Sequence, residues 1–108
     1  MNSFDCVVVL TTMPAASDAS QLAKTLVEER LAACVNVLGD MDSFYRWEGR
    51  VEQDRERQLV MKTTAARITA LAARIRELHP YDVPEFLVIP VLEGSEQYLR
   101  WLRESTAD

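Results

Sequence analysis

The sequence predicts a mixed α+β fold in which strands and helices alternate in the order β-α-β-β-α-β-α. Three observations predict it: β-branched apolar runs of strand length, apolar residues at helical spacing between them, and equal spacing in the two halves. Val7 and Val35 are 28 positions apart, and so are Leu59 and Leu87. Two β-α-β units of equal length favour a ferredoxin-like sandwich with strand order 4-1-3-2 and both long helices on one face.

The first half of the chain contains two predicted strands with a helix between them. The β-branched run Cys6–Leu10 is typical of a buried strand. Asp18 can cap the helix, with Gln21 as its capping-box partner. The second strand is predicted over Cys34–Leu38, and we expect Gly39–Asp40 to interrupt it or to form a bulge.

The middle of the chain carries a predicted hairpin with large aromatic side chains near its tip. Strand-type residues run into a Glu48-Gly49 turn and out again over residues 43–52. Alternation along a strand places Tyr45 and Trp47 on one face and Phe44 on the other. We therefore expect some of these rings to meet another surface.

The second half repeats the pattern and adds a last helix. Gln58–Thr63 is the third predicted strand, and the mixed-charge run before it is interpreted as a solvated strand extension or loop. Pro80 should stop the helix that follows. Phe86–Ile89 is the fourth strand, placed at a sheet edge because Pro90 cannot donate a ladder hydrogen bond. Ser95 can cap the final short helix.

Composition limits the classes of function. The chain has 108 residues, 48% of them hydrophobic, which suits one domain with an ordinary core. Its net charge of −5 argues against nucleic acid as a partner, since phosphates call for a basic footprint. The sheet face without long helices is left apolar and uncovered, so we expect the protein to form oligomers through that face and the hairpin.

The cysteines and the N-terminal residues bear on location. Cys6 and Cys34 lie in apolar runs without metal-type spacing, so both are predicted to be free thiols, largely buried. The chain starts without the basic stretch of a signal peptide, and its apolar runs are too short to span a bilayer. A cytoplasmic protein without membrane association is the expectation.

Residues that could carry chemistry are few. No nucleophile elbow, phosphate-binding glycine loop or zinc-protease motif is present, so the sequence gives no reason to predict an enzyme. His79 is the single histidine, and it could make a structural hydrogen bond or join carboxylates in a metal site at a subunit boundary. The aromatic residues could form a core, an oligomer interface or a ligand cleft between subunits.

Five segments, spread over nearly the whole chain, together resemble the CutA family of divalent-cation tolerance proteins. They occur in family order and at family distances. The segments are Leu31–Asn36, Tyr45–Glu52, Lys62–Thr64, His79–Glu85 and Tyr98–Trp101.

The resemblance implies one CutA-like domain over residues 1–108, assembled as a homotrimer similar to PII signalling proteins. It implies a role in tolerance to divalent cations, copper especially, and no catalytic activity. Copper-binding members have a Cys at the end of the first strand and a His-His pair before the proline, where this chain has Thr11 and Leu78-His79. His79 is thus the candidate ligand for weakly bound copper or another divalent cation.

Other residues at family motif positions are candidates for an intersubunit ligand cleft. An alternative function is that of a PII-like signalling or scaffold protein whose cleft binds a small anion or a partner segment. Lys62 is the feature that favours an anion. The candidate cleft residues are Trp47, Glu48, Lys62, Tyr81, Asp82, Glu85 and Trp101.

Overall fold

The structure, a computed structural model, describes residues 5–108. A short 3-10 turn, Ala65–Arg67, leads into the second helix. The strands are β1 (Cys6–Pro14), β2 (Cys34–Trp47), β3 (Arg50–Thr64) and β4 (Leu87–Pro90), and the helices are α1 (Ala19–Glu28), α2 (Ile68–Leu78) and α3 (Glu96–Thr106). The predicted α+β element order is confirmed.

The four strands form one antiparallel sheet in the order β2-β3-β1-β4. This is the predicted order 4-1-3-2 described from the opposite edge. β4 lies at the edge and pairs only with β1, which accommodates Pro90 at its end, opposite Val7.

The helices α1 and α2 pack on one face of the sheet, called here the covered face. Alternate residues of β1 and β3 point to this face and meet the apolar stripes of the two helices. Leu59 and Met61 have no exposed surface there, and neither do Leu26 of α1 and Leu71 of α2. The strand residues of the covered face are Val7, Val9, Met13, Leu59 and Met61.

The opposite side of the sheet, called here the open face, is not covered by α1 or α2. Strand pairing and alternation assign its residues, because directly paired residues share a face. Among the described elements, α3 borders it at one end, where Leu102 and Leu99 pack on Cys6, Ala33 and Val91. The residues of the open face include Val8, Leu10, Gln58, Val60, Lys62, Leu87 and Ile89.

The predicted hairpin is confirmed, and it is longer than the sequence suggested. Glu48 and Gly49 have φ values of 50° and 80°, the left-handed pair that a tight two-residue hairpin turn requires. The mixed-charge run before Gln58 is strand, so β3 begins at Arg50 rather than near Gln58. Projection of this hairpin makes the molecule elongated, with dimensions of 45 × 25 × 23 Å.

A β-bulge in β2 divides the hairpin arm from the body of the sheet. The pairing of β2 with β3 shifts by one residue between Val37 and Asp40, as the sequence suggested at Gly39–Asp40. Before the shift, the even-numbered Asn36 lies on the open-face side of β2. After the shift, the odd-numbered residues of β2, including Tyr45 and Trp47, lie on that side.

The helix ends follow their predicted caps with one exception. Asp18 accepts a hydrogen bond of 2.9 Å from the Gln21 backbone N–H, and Ser95 caps α3 in the same way. The prediction that Gln21 completes a capping box is wrong, because the Gln21 side chain donates to the Thr25 hydroxyl instead. Within residues 5–108, no helix has both the length and the apolarity that crossing a bilayer requires.

Candidate functional site

A cavity of about 750 Å³ lies between the hairpin arm and the connector that joins α2 to β4. The arm contributes Tyr45 and Trp47, and the end of β1 contributes Thr12. The other lining residues are Met41, Ser43, Phe44, Glu56, Gln58, Pro80, Tyr81, Asp82, Val83, Pro84 and Glu85. Two prolines stiffen the connector, which favours a cavity that exists before a ligand arrives.

Tyr45 stands on the arm with its hydroxyl bonded to the carboxylate of Asp54 on β3. This hydrogen bond, with the nearby negative charge, raises the pKa of Tyr45 to about 12. The phenol is therefore neutral at physiological pH and acts as a donor to Asp54.

Glu56 is the most buried acid of the cavity, with only 6% of its surface exposed. The Tyr81 hydroxyl donates to its carboxylate at 2.8 Å. Burial and this bond to Glu56 raise the pKa of Tyr81, so that ring also stays neutral.

Sequence reasoning missed Glu56, since it lies in the run interpreted as solvated. A usable signal was present: strand alternation places Glu52, Asp54 and Glu56 on one face. That face is the one on which Tyr45 and Trp47 stand across the hairpin.

Gln58 links the sheet to the connector. Its side-chain amide donates to the Thr11 carbonyl at 2.7 Å and to the Glu85 carboxylate at 3.0 Å. Glu85 is thereby held at the cavity wall, and the position of the connector is fixed relative to β1 and β3.

His79 lies beneath the connector, 7% exposed, with both ring nitrogens occupied. Its Nε2 lies 2.5 Å from the Thr12 carbonyl, and its Nδ1 accepts from the Tyr81 backbone N–H at 3.1 Å. A carbonyl can only accept, so Nε2 carries the proton and the ring is neutral. In this arrangement His79 orders the connector and positions Tyr81.

The described part of the chain contains no preformed divalent-cation site. Within residues 5–108, no group of three or more His, Cys, Asp or Glu side chains converges as metal ligands would. His79 could ligate a metal only by giving up one of its two hydrogen bonds. Its assignment as a metal ligand therefore stays a prediction, and these residues as arranged do not fit a bound ion.

The candidate cleft residues lie in three places. Trp47, Tyr81, Asp82 and Glu85 line the cavity together. Glu48 occupies the hairpin turn next to Trp47, outside the lining.

Lys62 and Trp101 lie at the other end of the sheet, near α3. The Lys62 ammonium donates to the Asn36 side chain and lies 3.9 Å from the Cys34 sulfur. Trp101 packs against Tyr98, with ring centroids 5.3 Å apart. One copy of the chain therefore does not bring the seven candidates into a single site.

The charge of the cavity is negative. Glu56, Asp82 and Glu85 line it, and among its described lining residues none is lysine, arginine or histidine. Aromatic rings and three carboxylates form a surface suited to a cation.

Comparisons with known proteins agree with this fold. The profile of the CutA1 divalent ion tolerance protein matches residues 7–105. The Divalent-cation tolerance protein CutA of Thermus thermophilus is 50% identical over 99 residues, covering 92% of this chain and 96% of that protein. The chloroplastic Protein CutA of Arabidopsis thaliana is 41% identical and matches 93% of this chain and 55% of its own length.

Solved structures give the same result. The structure of the Thermus thermophilus divalent cation tolerance protein superposes with a TM-score of 0.91 at 49% identity, covering 94% of this chain and 99% of that one. The periplasmic divalent cation tolerance protein CutA of Archaeoglobus fulgidus superposes with a TM-score of 0.90 at 30% identity, covering the same shares. By sequence and by fold, the chain belongs to the CutA1 divalent ion tolerance family.

Proposed function

We propose that this protein is a non-enzymatic homotrimer that acts in tolerance to divalent cations and binds a small cationic ligand at clefts between its subunits. The observation that carries the proposal is the combination of an uncovered apolar sheet face with an acidic cavity at the border of that face. The number of three subunits follows from the family resemblance.

The open face supports oligomerisation. Leu87 is 55% exposed and Ile89 46%, and the half-buried Val8, Leu10 and Val60 continue the same apolar surface. A contiguous apolar face of this kind is typical of a protein interface. Copies of the chain are the natural occupants, because each of them has the same face to cover.

Assembly would also account for the divided set of candidate residues. Lys62 and Trp101 are remote from the cavity of their own chain. A neighbouring copy packed on the open face could bring its α3 end towards the hairpin arm. Each cleft would then contain residues from two chains, as the prediction of an intersubunit site requires.

The negative charge of the cavity lining favours a cation over the alternative of a small anion. Lys62, the residue that suggested an anion, is bonded to Asn36 and does not line the cavity. The carboxylates of Glu56, Asp82 and Glu85 line the cavity instead. We propose that copper or another divalent cation associates only weakly, through carboxylates and water or through a displaced His79.

A PII-like scaffold that binds a partner segment is the second candidate. Phe44 and Val51 are each 66% exposed on the face of the hairpin arm opposite Tyr45, and Phe44 also reaches the cavity lining. An exposed apolar pair on a projecting arm suits contact with another protein.

Location in the cytoplasm is proposed from the thiols. Cys6 and Cys34 are both free, which suits a reducing compartment. The named relatives include chloroplastic and periplasmic proteins, so fractionation of cells that express the full chain is the direct test.

The trimer is tested by light scattering coupled to size exclusion. We expect a mass of about three times 12.3 kDa for the wild type. Val60→Asp places a charge on the open face and should give the monomer. Val51→Asp, on the same strand but on the opposite side of the sheet, should leave the mass unchanged. A wild type that is monomeric at micromolar concentration would overturn the proposal.

The metal assignment is tested by calorimetric titration of Cu²⁺ into the wild type and His79→Ala. Weak binding that His79→Ala abolishes, with the fold retained by circular dichroism, would support His79 as a ligand. Equal heats from both folded proteins would remove His79 from the site and leave the carboxylates as the binding groups.

A further inference from the structure

Glu56 is a buried carboxylate that has no cationic partner among residues 5–108. Its single hydrogen bond among the described residues comes from the neutral Tyr81 hydroxyl. The ion pairs formed by residues 5–108 involve neither Glu56 nor the other acids of the cavity lining. A buried charge without compensation is unfavourable, so this site is prepared to gain stability from a positive ligand.

The neighbouring arginines cannot supply that positive charge. Arg55 and Arg57 flank Glu56 in β3, so their side chains leave the opposite face of the strand. Arg57 donates to the Leu38 carbonyl at 2.9 Å, and Arg55 lies within 4 Å of the carboxylates of Asp40 and Asp42. Both guanidinium groups are engaged away from the cavity.

The walls around Glu56 are aromatic. Tyr45, Trp47 and Tyr81 all line the cavity. Both tyrosines are held neutral by acceptor carboxylates, and Trp47 is only half-exposed. Faces of neutral aromatic rings attract organic cations, and several rings with a carboxylate form the kind of cage that recognises alkylated ammonium groups.

The geometry favours an organic cation over a bare metal ion. A metal needs several ligand atoms converging within about 2–2.6 Å, and the described residues offer no such cluster. A volume of about 750 Å³ lies in the ordinary range of small-molecule sites, and a single ion would leave most of it empty.

We propose that this cavity binds a small alkylammonium cation, with the ammonium group against Glu56 and its alkyl groups between Tyr45, Trp47 and Tyr81. The inference rests on the proposed function in that it names the ligand class of the same cleft. All the residues it uses belong to one chain, so a neighbouring subunit is needed only as a cover.

The test is calorimetric titration of the full chain with choline and with 3,3-dimethylbutanol, its uncharged analogue of the same shape. We expect saturable binding of choline, quenching of tryptophan fluorescence, and binding of the alcohol weaker by about tenfold or more, the size of a cation–π contact in a desolvated site. Equal affinity for the two compounds, or no binding of choline at millimolar concentration, would overturn the proposal.

Variants locate the site. Glu56→Gln keeps an acceptor for Tyr81 and should weaken choline binding about tenfold. Glu28→Gln removes one charge from an exposed position on α1 and should leave binding unchanged. Because Glu56→Gln could disturb folding, Trp47→Leu is the second variant, at a half-exposed position, and should also weaken binding. Full choline affinity in both folded variants would overturn the assignment.

Measuring the mass in the same samples separates this inference from the proposed function. A trimer that does not bind choline removes the alkylammonium ligand and leaves the trimer. A monomer that binds choline through Glu56 removes the trimer and supports the cavity.

Discussion

The two faces of the sheet carry similar side chains and have opposite environments. On the covered face Leu59 and Met61 are completely buried by α1 and α2. On the open face the adjacent residue Val60 is only half-buried, and Leu87 and Ile89 of β4 are exposed. Apolar alternation in the sequence therefore does not show which face of the sheet is buried by the chain's own helices and which face stays free to contact other molecules.

The largest effect should come from the covered face. Leu59→Ala removes a fully buried side chain from the centre of the core and should lower the free energy of unfolding by about 3 kcal/mol. Urea denaturation measures it, with the exposed Leu92→Ala as the control, expected within about 0.5 kcal/mol of the wild type. A loss below about 1 kcal/mol for Leu59→Ala would contradict the assignment of the core.

The open face should show an effect that depends on assembly. Val60→Ala deletes two methyl groups and should cost about 1.5 kcal/mol where sister copies cover Val60. The melting temperature of the wild type should rise with protein concentration, and the variant should fall furthest below it in dilute samples. If neither melting temperature changes with concentration, the open face is in contact with water.

A third change should raise stability. Among residues 5–108, the Thr11 hydroxyl is fully buried and finds no hydrogen-bond partner. Thr11→Val keeps the shape and removes the unpaired group, so unfolding should cost about 1 kcal/mol more. Thr63→Val is the matched control on the same face, because the Thr63 hydroxyl donates to the Leu31 carbonyl at 2.8 Å. That control should be destabilised; stabilisation of both variants would contradict the argument.

The smallest effect should come from the anchor of α3 at the end of the open face. Arg103 donates two hydrogen bonds to Asp5, at 2.6 and 3.1 Å, and lowers the pKa of that carboxyl below its usual 3.8. Because the pair is partly exposed, Asp5→Asn should cost less than about 1 kcal/mol at pH 7.

The pH dependence of that cost has a definite sign. A carboxyl whose pKa is lowered in the folded state stabilises the protein at pH values above its usual pKa. This contribution is lost as the pH falls through the folded-state pKa. Wild type and Asp5→Asn should therefore differ at neutral pH and converge in acid, as thermal melts at several pH values would report. A difference that grows in acid would contradict the ion pair.

Local patterns predicted most of the fold. The Glu48-Gly49 turn, the caps at Asp18 and Ser95, and the edge position of β4 each depend on residues close together in sequence. The sequence left the charged run before Gln58 open between a strand extension and a loop, because that run is strand only through its pairing with β2, outside the body of the sheet.

The candidate site was predicted in part, for a similar reason. Tyr81, Asp82 and Glu85 are neighbours in sequence, so one connector brings them to the cavity. Glu56 is buried because that connector crosses it and Tyr81 bonds to it, a contact between residues 25 positions apart. The hydrogen bond of His79 to the Thr12 carbonyl in β1 is likewise a tertiary contact, between residues 67 positions apart, that no spacing rule reveals.

The bulge in β2 has a consequence for how the protein could change length. Pairing on either side of it is regular, with Val37 opposite Leu59 and Trp47 opposite Arg50. Loss of the one extra residue would restore a straight ladder while every one of those partners stayed in place. Insertions and deletions at this joint would thus alter the angle between arm and body, and with it the width of the cavity, without exchanging any residue that lines it.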